Sequence, residues 1–182
     1  MRFETEKLLD ELTEHVHSHL QFSKSLDSKS DEELNWRPHK KSWSVLECLE
    51  HLNRYGKFYI EEIKKRMENS KAPQSNIFES GRWGNKFAMD MLPKEGMKTM
   101  KTFKSKNPLH SKLDREKVVA TFTKQQHWFL RLLEMAKEKD LTKIKTSTTL
   151  PLVKFRLGDT FRFVIHHNER HVQQARKILS DK

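Results

Sequence analysis

Residues 157–179 read LGDTFRFVIHHNERHVQQARKIL, and the spacing in this stretch decides the fold. Val164, His167, His171, Ala175 and Ile178 follow one another at steps of three and four. That is the repeat of an α-helix with one face turned to an interior. It predicts a helix over 160–179, preceded by Gly158 and Asp159. Upstream, residues 43–52 read WSVLECLEHL. Ser44 and Glu47 form the S-x-x-E capping box, with Trp43 in the staple position before it. Val45, Leu49, Leu52, Gly56, Tyr59, Ile60 and Ile63 carry the stripe on to about Met67.

Two further segments have the same period. Phe3, Leu8, Leu9, Leu12, Val16, Leu20 and Leu26 predict a helix over 3–26. Val118, Val119, Phe122, Trp128, Phe129, Leu132, Leu133 and Met135 predict another over 114–138, with Asp114 as its N-cap. Between the first two helices, DSKSDEELNWRPHK reads as a loop, broken by Pro38. Residues 68–112 are the least regular, punctuated by Pro73, Gly81, Gly84, Pro93, Gly96 and Pro108, with helix expected only around 85–91. A connection this long lets the third helix run parallel to the second and can cover the mouth of a site. In the second connection, 139–157, TSTTLPLVKF is expected to be extended. The fold class is therefore all-α: a four-helix bundle with a long crossover between helices two and three, forming one domain over 1–182.

Composition agrees. The chain has 5 Gly and 5 Pro in 182 residues, so turns are few and elements long. Charged residues make up 34% and hydrophobic ones 35%, with the large apolar residues evenly spread, which argues against disorder. The single cysteine, Cys48, has no partner for an internal disulfide. No run of about 18 apolar residues occurs, and MRFETEKLLDELTEH has no apolar signal core. We expect a cytoplasmic protein with no membrane partner. The net charge of +11 favours anionic partners, but the Lys residues are scattered without a dense run. The excess reads first as a solvated surface, and nucleic acid stays only as an alternative. Glycine-rich phosphate loops, a nucleophile elbow and paired-Cys zinc motifs are absent.

The chemistry lies in the histidines. His167 and His171 are one helical turn apart, about 40° of rotation and about 6 Å of rise, so their rings leave one face. A divalent ion can bridge such a pair. With 10 His in the chain, an i,i+4 pair arises by accident about 0.5 times, and His15 and His19 form a second one. Spacing alone does not choose between them. His166 points elsewhere. His51, beside core residue Leu52, offers a third imidazole from another helix, and three imidazoles with an open position suit Zn or Ni. Read without that company, His51 is a partly buried histidine bonded to a carbonyl. Gln174 is placed to orient a ligand histidine or to sit on the surface. Cys48 reads as a small core residue rather than a fourth ligand, and Glu47 as a cap rather than a base. Trp36, Trp43, Tyr55 and Tyr59 line a cavity or fill the core. Arg54, Arg162 and Arg170 are anion-gripping or, more simply, exposed helix arginines.

Taken together, LNWRPHKKSWSVLECLEHLNRYGKF and LGDTFRFVIHHNERHVQQARKIL resemble the DinB-like superfamily, in particular its DinB_2 branch. The motifs are W-S-V-x-E-x-x-x-H-L, ending at His51 and Leu52, and H-x-x-x-H-x-x-Q, covering His167, His171 and Gln174. The resemblance implies a four-helix bundle over essentially the whole chain, often a homodimer, with metal on His51, His167 and His171. It implies no DNA polymerase activity. It points to a metal-dependent enzyme acting on a small molecule, of hydrolase or thiol S-transferase type, the latter using a thiol such as bacillithiol or mycothiol. A non-catalytic metal- or nucleic-acid-binding bundle, or a stress-related bundle with a decayed site, stands as the alternative.

Overall fold

The computed structural model describes residues 1–94 and 102–182, and it is mostly helical. Six α-helices occur among the described residues: α1 Thr5–Ser25, α2 Asp31–Asn35, α3 Val45–Glu68, α4 Arg82–Met91, α5 Arg115–Ala136 and α6 Leu157–Ser180. Two small antiparallel pairs accompany them. β1 (Arg2–Glu4) pairs with β2 (Ile77–Glu79), Phe3 opposite Phe78. β3 (Lys145–Ser147) pairs with β4 (Lys154–Arg156), Thr146 opposite Phe155. None of the described helices is long and apolar enough to cross a membrane.

The four long helices close a ring of neighbours. α3 packs on α5 and α6, α1 packs on the same two, and α4 lies along α6. Their apolar faces form two separate clusters. One holds Leu8, Leu9, Leu12, Tyr59, Ile63, Phe129 and Phe161, from the early part of α1 and α6 and the late part of α3 and α5. The other holds Phe22, Leu46, Leu49, Leu52, Phe122, Val172 and Ala175, from the opposite ends. Between the clusters, each helix contributes buried polar side chains: His19; His51 and Asn53; Gln125 and Gln126; His166, His167, Asn168 and Glu169. Buried polar groups are costly unless bonded. These largely bond one another across helices, as in Gln125 Nε2 to the Asn53 carbonyl (3.0 Å) and Asn53 Nδ2 to the Val118 carbonyl (3.0 Å). Gly56 makes room for this layer, since a Cβ there would strike the Gln125 amide.

Several expectations are corrected. The loop expected at DSKSDEELNWRPHK contains α2, started by a full Ser30–Glu33 capping box. It was hidden because one turn carries too few apolar positions to show a period, and only Leu34 is buried. Phe3 belongs to β1, stacked on Phe78 at 5.8 Å, and α1 starts after it. The last helix starts at Leu157, with Gly158 and Asp159 inside it. Gly158 suits that place because a Cβ would come within 2.6 Å of the Phe78 ring. In α5, Met135 points outward, at 37% exposure. The helix expected around 85–91 is the second half of α4. TSTTLPLVKF starts and ends in the β3–β4 pair. Gly96 lies outside the described residues.

Candidate metal centre

α3 carries His51 and α6 carries His167 and His171 into the polar layer. Each ring offers one nitrogen, and the three nitrogens lie within 4.8 Å of one another. The Nε2 atoms of His51 and His167 are 3.2 Å apart. A tetrahedral ion with bonds of about 2.0–2.1 Å holds neighbouring nitrogens about 3.3–3.4 Å apart, so this spacing fits one.

The outer faces of two rings are fixed. His51 Nδ1 donates to the Lys106 carbonyl at 2.8 Å. His171 Nδ1 donates to Gln174 Oε1 at 2.9 Å. A carbonyl oxygen accepts only, so the proton sits on Nδ1 and the Nε2 lone pair faces the centre, the usual arrangement behind a histidine ligand. His167 Nδ1 is buried with no partner among the described residues. Burial pushes the His51 imidazole down to about 4 and His171 down to about 3, and it carries His167 well below its ordinary value. The neighbouring imidazoles and Arg170 add to this effect. The centre is therefore three neutral imidazoles: His51 and His171 turn an Nε2 lone pair inward, and the Nε2 of His167 lies against that of His51.

A cavity of about 570 Å³ opens over these rings. Trp43 packs on both His51 (4.6 Å between centroids) and His171 (5.4 Å). Tyr55 packs on His51 and His167 at 5.0 and 4.9 Å. Phe87 from α4 and Phe163 from α6 extend the wall, and Arg170 and Lys41 add positive charge. Both connections reach the cavity, through Thr102, Phe103 and Leu109 and through Thr148, Thr149 and Leu150. The 106–110 strap is anchored by Glu47, which accepts from the His110 amide at 2.6 Å and from Arg37 at 2.7 and 2.8 Å. Burial alone would raise the Glu47 carboxyl, but the Arg37, Ser44 and His110 bonds hold it low. Glu47 thus closes the capping box and also steadies the carbonyl that orients His51.

The other sequence readings separate. Cys48 packs in the second apolar cluster, and burial pushes its thiol up. Trp43, Tyr55 and Tyr59 line the cavity, whereas Trp36 packs against the second cluster. The reading of all three arginines as exposed is corrected. Arg162 is 3% exposed and lies 3.4 Å from Asp159, whose carboxylate also accepts from Gly81 and Ser80. Arg170 is partly buried on the cavity wall. Arg54 is likewise half-buried, bonded to Glu50 and to the Asn107 carbonyl. His166 turns away from the centre, with Nδ1 on the Ala88 carbonyl at 3.1 Å. His15 and His19 converge on one carboxylate rather than on the centre: His19 Nε2 donates to Glu169 Oε2 at 2.9 Å, His15 Nδ1 lies 3.7 Å from the same oxygen, and the His15 ring also meets His166. The Lys106 carbonyl and the walls Phe87 and Phe163 were not anticipated. A backbone carbonyl 55 residues from its partner leaves no sequence signal.

A family model described as the DinB superfamily matches residues 4–175 of the chain. No curated protein and no solved structure gives a match.

Proposed function

The chain belongs to the DinB superfamily, and on that premise we propose that His51, His167 and His171 hold one divalent ion, Zn or Ni, in a metal-dependent enzyme of thiol S-transferase or hydrolase type. The observation that carries this reading is the convergence of three neutral imidazole nitrogens, two of them 3.2 Å apart, at the wall of a cavity large enough for a small molecule. We read α1, α3, α5 and α6 as a four-helix bundle in one domain, with the connection from α3 to α5 as its crossover. The closed ring of helix neighbours supports this.

The donor set fits the ion on chemical grounds: three neutral nitrogens, backed by fixed acceptors at His51 and His171, in a site that leaves a position open. Bound there, the ion would supply a Lewis acid that lowers the pKa of a coordinated thiol or water. The protein's own groups do the rest. Lys106 and Gln174 hold two ligand protons on Nδ1. Trp43, Tyr55 and Phe163 exclude water from the rings and offer aromatic faces to an apolar substrate. Arg170 and Lys41 favour an anionic substituent, which a low-molecular-weight thiol such as bacillithiol carries.

The test is metal content and turnover together. Purified protein should retain one ion at this centre that His171→Ala loses. Metal-loaded protein should consume a reactive electrophile in the presence of bacillithiol, or hydrolyse an ester or amide without it. A metal count in His171→Ala equal to that of wild type refutes the centre; turnover that ignores the thiol refutes S-transfer.

A further inference from the structure

The geometry points to a second divalent-cation site, formed by Glu11, His15 and His166 on the other side of α6. Glu11 and His15 stand one turn apart on α1, and His166 faces them from α6. Each offers one ligand atom, and the three atoms lie within 4.8 Å of one another. The rings of His15 and His166 meet edge to face, with centroids 5.9 Å apart.

The cluster has the supports of a ligand set. His166 Nδ1 donates to the Ala88 carbonyl at 3.1 Å, so its Nε2 lone pair is the free one. His15 Nδ1 faces Glu169 Oε2 at 3.7 Å. Glu169 is itself held by His19 Nε2 at 2.9 Å and Gln173 Nε2 at 2.8 Å. A carbonyl behind one histidine and a carboxylate behind the other are the outer partners that fix the orientation and raise the basicity of metal-binding imidazoles. Helix pairs build such sites from inward carboxylates and histidines at one-turn spacing.

Local charge agrees. The chain carries +11 overall, yet this point gathers the carboxylates of Glu11 and Glu169. Arg162 also acts on it, and its charge is matched by Asp159 at 3.4 Å. Two imidazoles and one carboxylate form a mixed nitrogen–oxygen set for a first-row divalent ion such as Zn, Mn or Fe(II), harder than the all-imidazole centre. Glu11 is exposed and His15 half-buried, so the ion exchanges with solvent. Once bound it ties α1 to α6.

The proposal is tested on the full chain, stripped with chelator and titrated with Co²⁺, read by calorimetry and by the visible absorption of the ion. Wild type should take up two equivalents. Glu11→Gln and His15→Ala alter groups that reach solvent, and each should leave one equivalent, with the absorption of the three-histidine centre unchanged. His171→Ala should leave the other equivalent, with the weaker spectrum of a carboxylate-containing site. His15→Ala combined with His171→Ala should bind none, with helical circular dichroism preserved. One ion in wild type that only His171→Ala removes overturns the second site. So does a count of two in both Glu11→Gln and His15→Ala. One ion that His15→Ala removes and His171→Ala leaves supports the second site and refutes the proposed function of the first.

Discussion

His166 and His167 are neighbours in the chain and face different worlds. His167 turns toward α3, among imidazoles and aromatic rings, with no carboxylate in its cluster. His166 turns toward α1 and meets His15 and Glu11, with Glu169 behind them. The first cluster is held by neutral acceptors, a carbonyl and an amide. The second is backed by a carboxylate and reaches solvent. The difference teaches that surroundings, not residue type, set what a histidine does. Burial lowers His51 and His171, whereas the nearby Glu169 carboxylate raises His15 against the opposing effect of its own burial.

The largest expected effect tests whether the two faces of α6 are independent. His167→Ala removes a ligand from the first centre and should weaken its ion by more than about 100-fold, the upper end of what losing an outer partner costs. The second cluster should keep its affinity, because His166 is held from the other side by Ala88. Calorimetric titration of both sites measures this. An equal loss at both would mean that α6 moves as a unit and that the comparison is false.

Acid should separate the buried histidines from His15 next. An unfolded histidine titrates near 6.5. His51 and His166 are pushed down to about 4 and His171 to about 3. Below pH 6.5 the unfolded chain therefore takes up protons that the folded one refuses, and stability falls as pH drops from 6.5 toward 4. At about 1.4 kcal/mol per unit for each group, the sum over three groups rivals the whole stability of an ordinary domain, so the metal-free protein should unfold within that window in acid titrations. His15 has the opposite sign. Its folded value is raised, so its contribution is present below pH 6.5 and fades as pH rises through that folded value. His15→Ala should cost more at pH 5.5 than at pH 8. A wild-type curve flat between pH 6.5 and 4.5 would show these buried imidazoles to be wet.

Sequence and structure part company along the same line. The long helices were legible because each carries a buried stripe over five or more turns. His167 and His171 were readable as a pair because they share a face, whereas His51 stood out as their third ligand only through the DinB resemblance. α2 and the β1–β2 pair were not legible, since three to five residues carry no period, and of β3–β4 only the extended character of TSTTLPLVKF was readable. The second cluster was hidden for a different reason. Glu11 is an exposed carboxylate among many, and His166 looks idle until α1 is placed beside it. The polar layer was hidden too: nothing in the sequence sets Gln125, Gln126 and Asn168 apart, and their burial shows only where the two apolar clusters stop.

A smaller effect sharpens the first centre alone. Gln174→Ala removes the acceptor that holds the His171 proton on Nδ1. The ligand should stay in place while its orientation loosens, giving about tenfold weaker metal binding, the low end for an outer partner. Gln174→Glu keeps an acceptor and adds charge, so it should bind at least as tightly as wild type. A surface role for Gln174 predicts no change in either variant.

The smallest effect is the most discriminating. Without metal, Glu11→Gln should shift stability by no more than about 0.5 kcal/mol, because Glu11 is exposed and changes little on folding. With saturating Zn²⁺ the same substitution should lower the melting temperature relative to wild type, since an ion that binds only the folded state adds stability in proportion to its affinity. Thermal melts of wild type and Glu11→Gln, each with and without the ion, read both quantities. A carboxylate that only decorates the surface gives the same small difference in both conditions. One that shares an ion with His15 and His166 gives a difference that appears with metal and vanishes with chelator, while His171→Ala leaves that metal-dependent gap intact.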